Sequence, residues 1–294
     1  MSDIGHVSSR IYRYAMIALV GAYGTHPRAH SEPSVDECTH PKPGWIWCDD
    51  FEKNRLGKYF EYVNPEGRFI RTRGAGVSGS YGMSARYPTT APSAAGQLHL
   101  AFGKTPNAYF KPVDAGVATY REIYWRLYVL HPTQWVGDSP DKLSRAISFA
   151  AGTWGEAMVA HVWNGGHPQL AIDPASGTDE AGNLMTMGYN DGAHFRWLGA
   201  AVGATNLFDG AHLGRWVCVE AHVRLNDPGV SNGLFELWVD GNADASRTGL
   251  NWVGAFSAYG INSLFVENYR NDATPVEQSR YLDNLVLSTR RIGC

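Results

Sequence analysis

Short runs in which hydrophobic and polar residues alternate fill the chain from Trp45 onward, and Gly, Asn, Asp and Pro separate them. Alternation predicts β-strands, because successive side chains of a strand point to opposite faces of its sheet. No run with the three- or four-residue spacing of a helix continues beyond two turns. The clearest predicted strands are Tyr120–Leu130, Arg145–Ala151, Ala157–Trp163, Trp216–Leu225, Leu234–Val239, Ser263–Tyr269 and Tyr281–Ser288. We therefore predict an all-β fold.

Two of these strands have one apolar face and one polar face. The apolar faces are formed by Val217, Val219, Ala221 and Val223 in the first strand and by Phe235, Leu237 and Val239 in the second. The opposite faces carry Glu220 and His222, and Glu236 and Trp238. Acids beside a Trp on neighbouring strands are compatible with a sugar-binding groove, and an ordinary solvated face explains the pattern equally well. Asp240-Gly241 predicts a hairpin turn after the second strand.

The composition narrows the function. The chain has 294 residues and a formal net charge of −3, with no basic block or stripe, so we expect no nucleic-acid partner. Charged residues make up only 18%, whereas there are 33 Gly, 15 Tyr and 10 Trp. This balance favours short strands with tight turns and aromatic surfaces that bind sugars. One large β domain over residues 45–294 accounts for most of the chain.

The first 44 residues differ from the rest. Arg10 and Arg13 precede an apolar run from Tyr14 to Tyr23, which predicts a secretory signal peptide over residues 1–24. A disordered cytosolic tail is the alternative. Residues 25–44 are rich in Pro, His, Ser and Glu and predict a linker or N-terminal arm. The apolar run is too short to span a bilayer, so we expect a secreted protein with no membrane association.

Four cysteines occur, at positions 38, 48, 218 and 294. An even number in an exported chain predicts two disulfides, for which three pairings exist. The spacing, one close pair and one distant pair, favours Cys38–Cys48 and Cys218–Cys294. A zinc site is the alternative, but no CxxC or CxxxC pair supports it.

Six segments resemble a known family when they are taken in order. They are Cys48–Glu52, Val77–Met83, Tyr124–Tyr128, Trp216–His222, Phe235–Gly241 and Leu282–Cys294. Together they resemble the concanavalin-A-like jelly rolls of the glucuronan lyase group, polysaccharide lyase family 20, and a related cellulose-induced secreted fungal protein. The resemblance covers about residues 45–294 and implies a two-sheet antiparallel β-sandwich. The superfamily includes lyases, glycosidases and lectins, so the fold alone does not determine the activity.

The resemblance also implies a structural Ca²⁺ ion that joins the two ends of the domain. Glu52, Ser78, the carbonyl oxygen of Tyr81 and Asp283 match the ligand positions. Their chemistry agrees, because Ca²⁺ binds carboxylate and backbone oxygens. The alternative is that Glu52 and Asp283 only flank strand turns.

The segment from Ala160 to Gln169 is similar to the stretch that carries a catalytic histidine in these lyases, and His161 matches that histidine. Trp163 stands where the pattern has a basic residue. His167 stands where a glutamine is expected, and Gln169 follows closely. Elimination from a uronate needs a group that neutralises the carboxylate, a base and an acid. Because Trp163 and His167 stand at these positions, the residues available to neutralise the carboxylate differ from those of the family.

Three further residues match the remaining roles. Arg126, between Tyr124 and Tyr128 on one strand face, supplies a positive charge, or else forms a salt bridge with Glu220 or Glu236. Glu267 and Tyr269, in the segment Phe265–Tyr269, match an acid–x–tyrosine pair of the family. We assign Tyr269 as the proton donor, or as the base if His161 is not.

These observations predict a monomeric extracellular lyase that cleaves an acidic, uronic-acid-containing polysaccharide by β-elimination. Binding without catalysis is the alternative, and hydrolysis by paired carboxylates such as Glu220 and Glu236 ranks below it. The predicted catalytic residues are His161, Tyr269, Arg126 and Gln169. The predicted substrate-binding residues are Tyr124, Tyr128, Trp163, His167, Glu220, His222, Glu236, Trp238 and Glu267. The prediction requires Arg126, His161, Glu220, His222, Trp238 and Tyr269 to converge on one open side of the sandwich.

Overall fold

A computed structural model describes residues 33–137, 141–163 and 167–294. The predicted signal peptide, residues 1–24, and the first part of the predicted arm lie outside the described residues. Within the described ranges, no helix is long and apolar enough to cross a membrane.

The described residues form sixteen strands and five short 3₁₀ turns. The strands are β1 (Trp45–Asp49), β2 (Glu61–Val63), β3 (Phe69–Arg73), β4 (Tyr81–Tyr87), β5 (Ser93–Ala101), β6 (Glu122–Leu130), β7 (Asp141–Phe149), β8 (Glu156–Trp163), β9 (Gln169–Ser176), β10 (Arg196–Trp197), β11 (Ala201–Asn206), β12 (Trp216–Arg224), β13 (Gly233–Val239), β14 (Asn242–Leu250), β15 (Ser263–Arg270) and β16 (Gln278–Ser288). The 3₁₀ turns are Glu37–Thr39, Leu56–Lys58, Pro65–Gly67, Val77–Gly79 and Ala108–Phe110.

The strands form two antiparallel sheets of eight strands each. Sheet I has the order β14-β13-β12-β6-β16-β4-β3, and β1 pairs with β16. Sheet II has the order β10-β9-β8-β7-β15-β5-β2, and β11 pairs with β9. In each sheet several neighbouring strands are distant in sequence, such as β6 and β16 or β5 and β15, as in a jelly roll. The predicted all-β sandwich is confirmed.

The core lies between the two sheets, and the alternation of the strands produces it. Val219 and Ala221 of β12 and Leu237 of β13 are at most 1% exposed and belong to one large apolar cluster. Across the sandwich, Ala160 and Val162 of β8 belong to the same cluster. The inward faces predicted for β12 and β13 are therefore confirmed. Burying one face of every long strand is the dominant stabilising term for such a fold.

The turn between β13 and β14 confirms the predicted hairpin. Val239 pairs with Asn242, so Asp240 and Gly241 form a two-residue turn. Both have positive φ, 52° and 78°, which the tightest hairpin turns require and which Gly adopts without steric cost.

The outer face of sheet I receives both ends of the described chain. Disulfides join Cys38 to Cys48 and Cys218 to Cys294, so the predicted pairing is confirmed. The carboxylate of Glu220 on β12 accepts hydrogen bonds from the backbone N–H groups of Ile292 (2.7 Å) and Gly293 (3.2 Å). These contacts hold the last residues against the sheet.

The outer face of sheet II is partly covered by an aromatic cluster. Phe149 and Phe265 lie on the sheet, and Phe60, Phe110 and Trp154 come from connecting segments and pack against them. The cluster covers one end of the face, and the other end is open.

Candidate functional site

A groove of about 310 Å³ crosses the open end of the outer face of sheet II. Strands β7 and β8 form its floor, and the segment before β10 forms one wall. Its lining residues are Lys142, His161, Trp163, Asn190, Gly192, Phe195, Trp197 and Asn271.

His161 lies on the floor of the groove, on β8. It pairs with Arg145 of β7 on one side and with Asp173 of β9 on the other. Its Nδ1 atom is 3.4 Å from the backbone oxygen of Asp173. A carbonyl oxygen only accepts, so this long hydrogen bond requires a proton on Nδ1. The lone pair then resides on Nε2, the nitrogen that a general base uses.

The surroundings of His161 keep the imidazole neutral. Burial lowers its pKa well below 6.5, and the positive charges of Arg145 and Lys142 lower it further. A neutral imidazole is able to accept a proton at neutral pH, whereas an imidazolium is not.

Lys142 brings a positive charge to the same groove. Its Nζ atom is 4.9 Å from the ring centre of Tyr269, its partner on β15. Burial lowers the pKa of Lys142, and the charge of Glu267 opposes that effect. Among the described residues that line the groove, Lys142 is the one Lys or Arg.

A buried ion pair supports the floor next to His161. The Arg145 Nη2 atom lies 3.0 Å from the Glu267 Oε1 atom, and both side chains are 1% exposed. Arg145 also donates hydrogen bonds to the Asn190 Oδ1 atom (2.7 Å) and to the Tyr189 hydroxyl. Glu156 lies in the same region, and burial raises its pKa to about 7. Arg145 is therefore occupied by protein groups and holds the loop of Tyr189 and Asn190 on the sheet.

Two tryptophans flank the imidazole. The ring centre of Trp197 is 5.9 Å from that of His161 with an angle of 26° between the planes, and the ring centre of Trp163 is 6.1 Å away. Trp197 is 49% exposed. An exposed indole beside a groove offers an apolar face to a sugar ring.

Several predicted site residues lie on this face together with His161. Trp163 lines the groove, and Tyr269 lies beneath Lys142. Gln169 lies two residues before Ala171, the partner of Trp163, so strand alternation places it on the same face. His167 is exposed at the end of the face. Glu267 is 1% exposed and forms the ion pair with Arg145, and its predicted role in substrate binding stays a prediction.

The predicted convergence on one open side is wrong. The two sheets turn their non-core faces in opposite directions, because their apolar faces meet in the core. His161 and Tyr269 belong to sheet II. The remaining members, Arg126, Glu220, His222 and Trp238, lie on the outer face of sheet I. The same face carries three other residues predicted to bind substrate: Tyr124, Tyr128 and Glu236. They cannot act on the same sugar unit as His161.

The sheet I residues have structural partners instead. Arg126, 2% exposed, pairs with Glu37 and donates a hydrogen bond to the Gly293 carbonyl oxygen (3.1 Å). The alternative salt-bridge partners predicted for Arg126 have other partners. Glu220 binds the C-terminal segment, and Glu236 binds His222. Tyr128 is 1% exposed beneath Val77, which removes it from any open surface.

The rest of that face is a cluster of rings and acids. His222 stacks on Tyr124 with ring centres 3.9 Å apart and lies 2.8 Å from both Glu122 and Glu236. The guanidinium of Arg291 covers the Trp238 ring at 4.3 Å. A stacking role for Trp238 would require the C-terminal segment to move.

Lys142, Asn190 and Trp197 were missed by the sequence reasoning. Lys142 precedes the predicted strand and turns outward only through a bulge, which alternation does not reveal. Asn190 lies in the long connection between β9 and β10, and Trp197 lies on the two-residue strand β10; tertiary contacts set the position of both. The ten tryptophans were a signal of sugar binding but did not indicate which of them are exposed.

Two of the predicted calcium ligands, Asp283 and Glu52, contact the segment from Val77 to Tyr81, which contains the other two, Ser78 and Tyr81. Asp283, 1% exposed, accepts a hydrogen bond from the Val77 N–H (2.8 Å), and Glu52 accepts one from the Tyr81 N–H (2.7 Å). Burial raises the pKa of Asp283 to about 8, and the negative charge of Glu52 adds to the effect. Among the described residues, no group of three or more His, Cys, Asp or Glu side chains forms a metal site by itself.

Comparison with known structures identifies the fold. The endo-β-1,4-glucuronan lyase from the fungus Trichoderma reesei is similar at a TM-score of 0.56 and 13% identity, over 84% of this chain and 96% of that chain. Alginate lyase vAL-1 from Chlorella virus has a TM-score of 0.59 and 12% identity, over 84% and 100%. The PL-14 alginate lyase from Aplysia kurodai has a TM-score of 0.54 and 11% identity, over 84% and 99%.

These likenesses confirm the jelly roll that the sequence resemblance implied, and at such identities they show the fold alone. No protein-family model matches the chain, and no curated protein sequence matches it.

Proposed function

We propose that this chain is an extracellular polysaccharide lyase that cleaves a uronic-acid-containing polysaccharide by β-elimination. One observation carries the proposal: the groove on sheet II combines a neutral imidazole, His161, with an ammonium group, Lys142, beside exposed Trp197. Glucuronan and alginate lyases of the same fold support it. The two disulfides fit an oxidising, extracellular location.

Each groove residue has a separate role in the reaction. Lys142 faces the carboxylate of the uronate and offsets the negative charge that grows on it when the C5 proton leaves. The Nε2 atom of His161 takes that proton, and the electron pair forms the C4–C5 double bond. The C4–O bond breaks, and the Tyr269 hydroxyl gives its proton to the leaving oxygen. Trp197 and Trp163 hold neighbouring sugar rings.

Hydrolysis has less support. The described residues that line the groove include no Asp or Glu. Glu156 and Glu267, the acids beneath it, are at most 1% exposed and cannot reach a glycosidic bond. A glycosidase needs two carboxylates on either side of that bond.

The test is ultraviolet absorbance of unsaturated uronate during incubation with glucuronan, alginate and pectin. We expect absorbance to rise with at least one polymer and His161→Ala to lower kcat by about 10²- to 10⁴-fold. His99→Ala is the matched control, because His99 lies in the same row of sheet II but is 4% exposed and bound to Glu61. Retarded migration in a polymer gel without any absorbance would show a binding protein instead. New reducing ends without absorbance would show a hydrolase.

We also propose that Glu52, Ser78, the Tyr81 carbonyl oxygen and Asp283 hold a structural Ca²⁺ ion. The paired backbone contacts of Asp283 and Glu52 with the same turn support this assignment. Hard oxygen donors of this kind match the preference of Ca²⁺. The ion would neutralise the buried Asp283 carboxylate and join the start of the domain to β16, far from the groove.

A further inference from the structure

The strand that carries Lys142 is irregular at that residue. Between β15 and β7, Val266 pairs with Ser144 and Tyr269 with Lys142, so three steps along β15 match two along β7. Between β7 and β8, two steps from Ser144 to Lys142 match one step from Val162 to Trp163. Both ladders therefore contain a β-bulge at the same level.

The bulge decides where Lys142 points. In a regular strand, Lys142 would share the face of Ser144, whose hydroxyl accepts a hydrogen bond from Trp125 in the core. Instead Leu143 is 2% exposed and belongs to the core, and Lys142 lines the groove. One extra residue thus converts an inward position into an outward one.

A bulge leaves backbone carbonyl groups without ladder partners, and here a side chain of the other sheet reaches them. Arg280 of β16 crosses the core, and its Nη2 atom donates hydrogen bonds to the backbone oxygens of Lys142 (2.7 Å) and Glu267. Its Nε atom donates to the Asn268 side chain (2.8 Å), which itself donates to the Gly96 oxygen (3.0 Å). Arg280 is 2% exposed, so these bonds are shielded from water.

We propose that Arg280 is a positioning residue for the groove: by binding the backbone on both sides of the bulge, it holds Lys142 outward beside His161. The catalytic part of this inference rests on the proposed lyase function, whereas the structural part does not. Arginine suits the task because its planar guanidinium presents several donors in fixed directions. A lysine at position 280 would keep the charge but would lack the fork that binds two carbonyls and an amide together.

The first test follows Lys142 without any substrate. The chain has six lysines, so reductive ¹³C-methylation gives six dimethyl-lysine signals, and Lys142→Met assigns the one from Lys142. We expect this signal in the parent protein to titrate below the other five, because Lys142 is partly buried. In Arg280→Met it should shift towards the exposed lysines. Arg280→Lys adds a seventh signal, so there the Lys142 signal is identified as the one lost on adding Lys142→Met, and it should shift in the same direction.

Arg71→Met is the matched control. Arg71 also donates to two backbone oxygens, those of Phe51 (2.5 Å) and Glu52 (2.9 Å), and lies 3.8 Å from the ring centre of Tyr81. This variant should lose stability and leave the Lys142 signal unchanged. An unchanged Lys142 signal in both Arg280 variants would overturn the inference, and Arg280→Lys covers the case in which Arg280→Met does not fold.

The second test is a double-mutant cycle on lyase activity. A displaced cation costs about 100-fold in rate, so Arg280→Met should lower kcat/KM by about that factor. If Arg280 acts through Lys142, Arg280→Met should have little further effect once Lys142→Met is present. In that background we expect kcat/KM to fall by less than about 3-fold. Equal losses in both backgrounds would contradict the inference. Absence of lyase activity in the parent protein would refute the proposed function, and the lysine signals would still decide the role of Arg280.

Discussion

Removal of the Cys218–Cys294 disulfide should destabilise the protein more than removal of the Cys38–Cys48 disulfide. The first bond joins residues 76 positions apart and the second joins residues 10 positions apart. The chain-entropy relation gives about 4.5 kcal/mol for the long loop and about 2.8 kcal/mol for the short one at 25 °C. The variants are Cys218→Ala/Cys294→Ala and Cys38→Ala/Cys48→Ala.

Noncovalent contacts act in the same direction for the long loop. The Ile292 and Gly293 N–H groups bind Glu220, whose side chain is fully buried. If the freed segment leaves the sheet, this carboxylate loses both donors, and an unsatisfied buried acceptor costs about 1–3 kcal/mol. If the segment detaches, the loss of unfolding free energy for Cys218→Ala/Cys294→Ala therefore exceeds the chain-entropy value of about 4.5 kcal/mol.

Guanidinium unfolding, followed by fluorescence of the ten tryptophans, measures both losses. The slopes of the unfolding free energy must agree between variants for the comparison to hold. We expect the difference between the double variants to be at least about 1.7 kcal/mol. Activity at 25 °C should not change in Cys218→Ala/Cys294→Ala, because the Cys218–Cys294 disulfide lies on sheet I and the groove lies on sheet II. Equal losses, or a larger loss for Cys38→Ala/Cys48→Ala, would refute the reasoning.

Three further outcomes are expected. Chelation of Ca²⁺ should lower Tm, because an ion present at a hundredfold excess over its Kd adds about 2.7 kcal/mol to the free energy of unfolding. Asp283→Asn should abolish this response, and equal responses in the parent and the variant would contradict the calcium proposal. Burial raises the pKa of Glu156 to about 7, so the folded state binds the proton more tightly, and stability from this group is lost as pH rises from 4.5 to about 7. Urea titrations should show that the free energy of unfolding of the parent falls by about 3 kcal/mol relative to that of Glu156→Gln over this pH range. If the two free energies change in parallel with pH, the raised pKa of Glu156 is excluded. Because His161 must be neutral to act, kcat/KM should stay level as pH falls through 6.5, and Lys142→Met should move the acid limb to higher pH; an acid limb near 6.5 that does not move would refute the assignment.

Local patterns in the sequence determined the strands and their buried faces. Val219, Ala221 and Leu237 follow a two-residue period, and a strand responds to that period wherever it lies in the fold. The Cys218–Cys294 pairing was also readable, because one distant and one close pair leave little choice of spacing. The ordered segments indicated the jelly roll for a similar reason, since each is a strand with its turn.

Only the tertiary structure decided which polar faces share a surface. Alternation shows that Arg126 and His161 each point away from a core, but two sheets packed face to face turn those directions apart. It also decided the direction of Lys142, because a bulge adds one residue and reverses the parity of the strand. Arg280, from a strand more than a hundred residues later, binds the backbone at that bulge. Such a contact between the two sheets depends on the packed sandwich and leaves no periodic trace in the sequence.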